Sequence, residues 1–171
     1  DETMDVEDAA QLEQAALNRE EQSDIERLLA MIRVLPPDTK ASCLLTELQT
    51  LRAQHYLQAI IFTQYTDTLD FLRELLINHW GSAVLCFSGR GGEIFENGAW
   101  RVIGRDDTKR RFREGRADIL LCTDAAAEGL NFQFCGALIN YDMPWNPMRV
   151  EQRIGRIDRL GQSFSVIRIV N

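Results

Sequence analysis

From residue 58 onward, short apolar runs alternate with helical segments, and this alternation limits the folds open to the chain. The predicted helices cover 66–80, 106–115 and 146–160. The apolar runs are QAIIFTQY (58–65), AVLCFSG (83–89), DILLCTDA (118–125), ALINYDM (137–143) and SVIRIV (165–170). Continuous apolar strands separated by helices predict an α/β fold, a parallel sheet with helices on both faces.

The segment before the alternation reads as helix. Residues 8–35 are rich in Ala, Leu, Gln and Glu, and Pro36-Pro37 ends the pattern. A second helix is predicted over 39–54, with Leu44, Leu45, Leu48 and Leu51 on one face. We interpret 1–56 as a helical connector from a preceding lobe and 57–171 as the sheet domain. The chain begins with Asp1, and we expect it to be a fragment of a longer protein.

One stretch does not fit the alternation. RGGEIFENGAWRVIGR (90–105) contains four glycines and is not a standard crossover helix. We expect a loop or small surface hairpin here, with Trp100 packed against the body.

The composition and the charge distribution further limit the class of protein. The chain is 45% hydrophobic and 26% charged, and neither a membrane span nor a signal peptide is apparent. Its net charge of −7 arises in residues 1–26, which hold ten acidic residues and one basic residue. The remainder is slightly basic, so an anionic partner is compatible with it. The four cysteines form no CxxC pair and are expected to be buried, reduced thiols in a cytosolic protein.

Polar residues follow the predicted strands where each one ends. They are Thr63-Gln64, Ser88-Gly89, Thr123-Asp124 and Tyr141-Asp142. Ligands of parallel α/β sheets bind outside the carboxyl ends of the strands, so this edge is the predicted site.

Several common sites are excluded by their motifs. GRGGEI (89–94) has Ile94 where the dinucleotide fingerprint needs its third glycine. The chain has no GxxxxGK[ST] phosphate loop and no defensible Ser-His-Asp or Cys-His arrangement.

The stretch EQRIGRIDRLGQ (151–162) carries arginines at helical spacing. In a helix, Gln152, Arg156 and Arg159 would form one polar ridge, and Gly155 would let a ligand or backbone approach closely. Guanidinium groups fork onto phosphate oxygens, so this ridge predicts contact with a transferring phosphoryl group.

These residues resemble the C-terminal RecA-like lobe of superfamily 2 helicases. QRIGRIDRLGQ (152–162) resembles motif VI and LLCTDAAAEGLNFQ (120–133) resembles motif V. AIIFTQYTDTLDFL (59–72) resembles motif IV, and CFSG (86–89) resembles motif IVa. The run DMPWNPMRVEQ (142–152) and the trailing GQ are similar to the Swi2/Snf2 branch, in particular its bacterial RapA-like group.

The resemblance implies a role for each matching position. Arg156 and Arg159 would be arginine fingers that reach ATP held by the other lobe. Gly129 and Asn131 would lie beside the nucleotide ribose, and Gln152 would couple the ATP site to the DNA track. The DNA backbone contacts would be Thr63, Gln64, Gly89 and Thr123.

The resemblance also implies partners and cofactors. The N-terminal lobe of the same protein would hold most of the ATP and Mg²⁺, so the isolated chain is expected to be inactive. Double-stranded DNA is the expected track, a protein complex is a further possible partner, no membrane partner is expected, and the location would be the bacterial cytoplasm or nucleoid. Seven bases over 101–116 could meet a phosphate backbone or form a solvated helix face.

Two other functions stay open from sequence. One is a non-catalytic RecA-like scaffold that binds a partner protein. The other is a lobe of an RNA helicase of the DEAD-box kind. The intact finger positions disfavour the first, and the GQ tail and the WNP sequence disfavour the second.

Overall fold

A computed structural model describes residues 21–32, 34 and 38–171 of the chain. The chain divides into two units between Thr39 and Lys40. In the first unit, the described residues form helix α1 over 21–32. Val34 lies in a turn, and the other residues of the predicted 8–35 helix lie outside the described residues. No described helix combines the length and the apolar character that a membrane crossing requires.

The second unit is built on a seven-stranded sheet, in the order β4-β3-β2-β5-β1-β6-β7. The strands are β1 Ala59–Thr63, β2 Val84–Ser88, β3 Gly91–Glu96, β4 Ala99–Ile103, β5 Ile119–Thr123, β6 Ala137–Asn140 and β7 Arg168–Val170. The helices are α2 Thr39–Ala53, α3 Thr66–Trp80, α4 Arg105–Arg113, α5 Asp124–Ala127 and α6 Pro147–Ile154, with a 3-10 turn at Gly81–Ala83. The predicted α/β class is confirmed.

Strands β2, β5, β1, β6 and β7 are parallel to one another, and alternate residues of each strand pack on opposite faces. In β1, Ile60 and Phe62 join the cluster that includes Phe112 of α4, whereas Ile61 joins the leucines of α2 and α3. Helices therefore cover both faces. Burial on both sides explains why β1, β2 and β5 are apolar along most of their length rather than alternating.

Helix α2 belongs to the same unit as the sheet. Leu44, Leu48 and Leu51 are buried and pack in one cluster with Leu69 of α3. The division drawn between 56 and 57 from sequence concerns the longer protein and stays a prediction.

The exceptional stretch 90–105 forms the antiparallel hairpin β3–β4, which extends the sheet beyond β2. Trp100 donates its indole N–H to Glu74 at 2.9 Å, and the Arg73 guanidinium lies 5.1 Å from its ring. Of the loop and the small hairpin that the sequence left open, the structure has the hairpin, and Trp100 packs against the body as predicted. All four cysteines are free, and three are buried as predicted, but Cys43 is exposed because it points away from the leucine face of α2.

The end of the chain is fastened to the sheet by a close approach at Gly136. A methyl group at this position would lie 2.6 Å from the ring of Phe164, which also stacks on Tyr56. We expect Gly136→Ala to lower the free energy of unfolding by about 1–3 kcal/mol, because the ring must move out of a packed site. Urea unfolding of the variant measures this loss.

Gly89→Ala is the matched control. A methyl group there meets no atom within 4 Å, so its stability should be unchanged or slightly raised. Equal losses in the two variants would contradict the packing argument.

Candidate functional site

A cleft of about 600 Å³ opens at the carboxyl edge of the parallel strands. Its wall is formed by the residues that follow β1, β2 and β5 and by one face of α6. The lining residues are Phe62, Gln64, Tyr65, Thr66, Gly89, Thr123, Asp124, Ala125, Glu128, Arg149, Gln152, Arg153 and Arg156. The edge predicted from the strand ends is therefore where the structure has its cleft.

The floor of the cleft is a buried arginine. Arg153 is 2% exposed and forks onto Asp124, with N–O distances of 2.5 and 2.8 Å. Its Nη1 donates to the Asn140 side chain and to the Asp142 carbonyl, each at 2.8 Å. The guanidinium also lies 5.1 Å from the ring of Phe62. A single side chain thus joins the ends of β5 and β6 to α6 and neutralises the cleft carboxylate Asp124.

A second carboxylate organises the exit of β1. Asp142 accepts hydrogen bonds from the Thr63 hydroxyl at 2.5 Å, the Gln64 backbone N–H at 3.3 Å and the Lys40 ammonium at 3.1 Å. Burial raises the pKa of Asp142, but the hydrogen bonds from Thr63, Lys40 and Gln64 and the Lys40 charge outweigh it. The pKa therefore lies below its ordinary value of 3.8.

Helix α6 ends earlier than the arginine spacing suggests. It stops at Ile154 with Gly155 as its C-cap, so the predicted helix over 146–160 is wrong beyond that point. Arg156 follows in a turn, lines the cleft and is half-buried. Arg159 is exposed outside the cleft, and its Nε donates to the Gly155 carbonyl at 3.0 Å. The predicted ridge is therefore interrupted: Gln152 and Arg156 line the cleft, whereas Arg159 lies outside it.

The loop after α5 holds the two predicted ribose residues beside the cleft rather than in it. Gly129 adopts a positive φ of 74°, and the preceding carbonyl of Glu128 accepts a hydrogen bond from Arg105. The Asn131 amide bonds within the loop, donating to the Gln133 side chain at 3.1 Å and accepting from the Gln133 N–H.

The predicted contacts to nucleic acid also separate into two groups. Gln64, Gly89 and Thr123 line the cleft. Thr63 is fully buried beneath it, and its hydroxyl proton is directed to Asp142. Thr63 thus holds the β1 exit in place, and its hydroxyl could donate to a phosphate only if its hydrogen bond to Asp142 were broken.

Sequence reasoning missed two cleft arginines, Arg149 and Arg153. Arg153 stood in the quoted motif, but its burial is apparent only when Asp124 and Asn140 are brought to it by the sheet. Arg149 lies four residues before Arg153, and this i, i+4 spacing was the available signal.

The basic segment 101–116 is largely paired within the protein. Arg111 bonds Asp107 and Glu96, Arg110 pairs with Asp107, and Arg116 pairs with Glu114. This pattern favours the solvated, ion-paired helix face over a phosphate-binding surface. Within the described part of the chain, no group of three or more His, Cys, Asp or Glu side chains is placed to hold a metal ion.

The parallel sheet and the cationic cleft at its carboxyl edge define a RecA-like α/β lobe. The chain belongs to the family described as the helicase conserved C-terminal domain, whose model matches residues 39–161. The resemblance to the C-terminal lobe of superfamily 2 helicases is thereby confirmed.

Curated relatives agree with this family. The chain is 47% identical over 109 residues to the uncharacterized ATP-dependent helicase YqhH of Bacillus subtilis, covering 64% of this chain and 18% of that protein. It is 33% identical over 121 residues to the RNA polymerase-associated protein RapA of Vibrio vulnificus, covering 70% of this chain and 12% of that protein. The chain therefore spans less than a fifth of the length of these relatives.

Solved structures show the same fold. The Escherichia coli DEAD-box protein SrmB, solved with the regulator RraA, matches with a TM-score of 0.55 at 25% identity, covering 77% of this chain and 69% of that chain. The C-terminal part of the Fun30 ATPase domain matches with a TM-score of 0.63 at 21% identity, covering 78% and 40%. The prediction of a RecA-like lobe is confirmed.

The ion pair at the cleft floor should dominate the stability of the site. We expect Asp124→Asn to lower the free energy of unfolding by about 3–5 kcal/mol, because the buried Arg153 guanidinium loses its counter-charge. Urea unfolding at pH 7 measures the change. Asp107→Asn is the control: its partner Arg110 is 66% exposed and Arg111 also bonds Glu96, so the loss should stay below about 1 kcal/mol. A loss for Asp124→Asn no larger than the control's would contradict the role assigned to the pair.

The depressed pKa of Asp142 predicts a pH-dependent contribution to stability. A carboxyl whose folded pKa lies below its unfolded value stabilises the fold above the unfolded pKa, and this stabilisation is lost as pH falls through the folded pKa. We therefore expect the stability gap between the wild type and Asp142→Asn to be full at pH 5–7 and to narrow below pH 3.8. Urea unfolding at pH 7, 5, 4 and 3 measures it. Asp158→Asn, on the exposed turn after α6, supplies the control. A gap for Asp142→Asn that is the same at every pH would refute the prediction.

Proposed function

We propose that this chain is the C-terminal motor lobe of an ATP-dependent DNA translocase of the Swi2/Snf2 group. In the whole protein, an N-terminal lobe completes the ATP site, and each cycle of closure and opening moves the two lobes along duplex DNA. The observation that carries this proposal is the guanidinium of Arg156, which lines the cleft without a partner among the described residues. Membership of the helicase C-terminal family and the relative described as an ATP-dependent helicase support it.

Arg156 is suited to the task of an arginine finger. Its neighbour Arg153 already neutralises Asp124, so the Arg156 charge is available to a phosphoryl group. A guanidinium keeps its charge at any physiological pH and donates to several oxygens at once. Arg159 is the second finger in this proposal, and lobe closure would have to draw it away from the Gly155 carbonyl.

The residues at the strand ends form the nucleic-acid track. Helix α3 begins at Thr66 without a side-chain cap, so its first backbone N–H groups are open to an anion beside Gln64. Gly89 and Thr123 line the same cleft. Contacts of this type hold a phosphate backbone without reading base sequence, which suits a motor that moves along DNA.

The excess of positive charge in the cleft, three guanidinium groups against two carboxylates, suits phosphate groups, and in this proposal Arg156 meets those of ATP. ATP supplies the free energy of each cycle when it is bound with Mg²⁺, which the N-terminal lobe holds in this proposal. Gly129 and Asn131 would border the ribose, and Gln152 would link the nucleotide to the track. The relatives are bacterial, from Bacillus and Vibrio, and the proposed location is the bacterial cytoplasm or nucleoid. The protein named as associated with RNA polymerase raises a protein complex as a further partner.

The decisive experiment measures ATP hydrolysis by the protein that contains both lobes, without nucleic acid and with duplex DNA, single-stranded DNA or RNA. We expect duplex DNA to stimulate turnover, and Arg156→Ala to lower kcat by about 10³–10⁵-fold while ATP still binds. Arg52→Ala is the control, because Arg52 pairs with Asp118 at the amino ends of the strands. This 171-residue chain alone should hydrolyse ATP at the background rate.

The outcomes separate the proposal from its alternatives. Preference for RNA would assign the lobe to the RNA helicases. Hydrolysis that is unaffected by Arg156→Ala would remove the finger role. Absence of both hydrolysis and nucleic-acid binding would favour a scaffold that binds a partner protein.

A further inference from the structure

Arg149 is a second positively charged side chain that lines the cleft, and no motif of the family resemblance assigns it a role. It lies in the first half of α6 and lines the cleft with Gln64, Tyr65 and Thr66 of the β1 exit. Its side chain has no hydrogen-bond or ion-pair partner among the residues that the structure describes. Of the two cleft carboxylates, Asp124 is held by Arg153, and Glu128, which follows α5, makes no ion pair with Arg149.

The three arginines that line the cleft, from α6 and the turn after it, therefore differ in burial and in ion pairing. Arg153 is buried in the ion pair, Arg149 lies four residues before it in α6, and Arg156 lies three residues after it in the turn that follows α6. Arg156 lies beyond the end of the helix, so the two unpaired guanidiniums are carried by different elements, α6 and the turn after it. Two unpaired cations on different elements can address two different anions.

The neighbours of each arginine indicate which anion it meets. Arg156 follows Gly155 at the carboxyl end of α6, whereas Arg149 lies two turns back, towards the loop that leaves β6. The Lys40–Asp142–Thr63 contacts tie that loop to the exit of β1. Arg149 thus lines the cleft together with Gln64 and Thr66, where α3 begins without a side-chain cap.

We infer that Arg149 binds a phosphate of the nucleic-acid backbone, as an additional contact of the track and apart from the nucleotide site of Arg156. The inference rests on the proposed function and deepens it. Arginine can neutralise one backbone phosphate through its fork of donors, and each phosphate so neutralised adds to the salt dependence of binding.

The test compares Arg149→Gln with the wild type in the protein that contains both lobes. Binding of a fluorescent DNA duplex is measured by anisotropy over a series of salt concentrations. We expect the slope of log K against log[salt] to become shallower by about 0.9, the value for one phosphate contact on duplex DNA. In the ATPase assay, the DNA concentration for half-maximal stimulation should rise, while the KM for ATP stays unchanged.

Two further variants guard the interpretation. Arg149→Lys keeps the charge and should retain the wild-type slope. Arg52→Gln removes a charge at the opposite edge of the sheet and should leave slope and stimulation unchanged. Because the Arg149 side chain is exposed, the thermal midpoint of Arg149→Gln should match that of the wild type.

The inference is overturned if Arg149→Gln binds DNA with the wild-type slope, or if its main effect is a higher KM for ATP. In that case wild-type binding and the loss of hydrolysis in Arg156→Ala would still support the proposed function. If the wild type itself neither binds duplex DNA nor hydrolyses ATP, the proposed function fails and this inference fails with it.

Discussion

The site depends on the ion pair between Arg153 and Asp124. A buried guanidinium is tolerated only when its donors are used, and four of its N–H bonds are directed to Asp124, Asn140 and the Asp142 carbonyl. These acceptors come from the ends of β5 and β6, which lie on either side of β1, and the donor comes from the helix that follows β6. The pair therefore sets the position of α6 against the carboxyl edge of the sheet. It also neutralises Asp124, so that the cleft is left with a small excess of positive charge.

The fold could be predicted from the sequence to a large extent, because it follows from local patterns. The bounds of α3 were predicted without error, since a Thr begins the helix and the leucines continue to Trp80. The central strands were predicted because burial on both faces makes them continuously apolar. The end of α6 was not predicted. Arginines at i and i+3 continue a helical pattern through Gly155, but the backbone leaves the helix there to bring Ile157 into the core.

The site was predicted less completely, because spacing alone does not distinguish arginines that have different partners. Arg153, Arg156 and Arg159 have the same side chain and regular spacing, yet one is buried, one lines the cleft and one caps a carbonyl on the surface. Their environments depend on contacts across the sheet, such as Asn140 with Arg153, which no local pattern contains.

The GQ tail offers a similar case. Gln162 donates to the Ile157 and Cys135 carbonyls, so in this lobe it fastens the turn after α6 to the loop before β6.

The β3–β4 hairpin is more than a peripheral addition to the sheet, because it shares a turn with the cleft. Gly89 lines the cleft, and the next residue, Arg90, pairs with Asp70 of α3 and leads directly into β3. Glu93 of β3 is largely buried and lies between Arg73 and Arg90, so the two guanidiniums compensate its charge. The hydrogen bond of Trp100 to Glu74 fastens the second strand to the same helix. Ion pairs at the edge of the sheet thus fix the turn that contains Gly89. Through this turn, the β3–β4 hairpin, which lies outside the shared motifs, is coupled to a residue of the proposed nucleic-acid track.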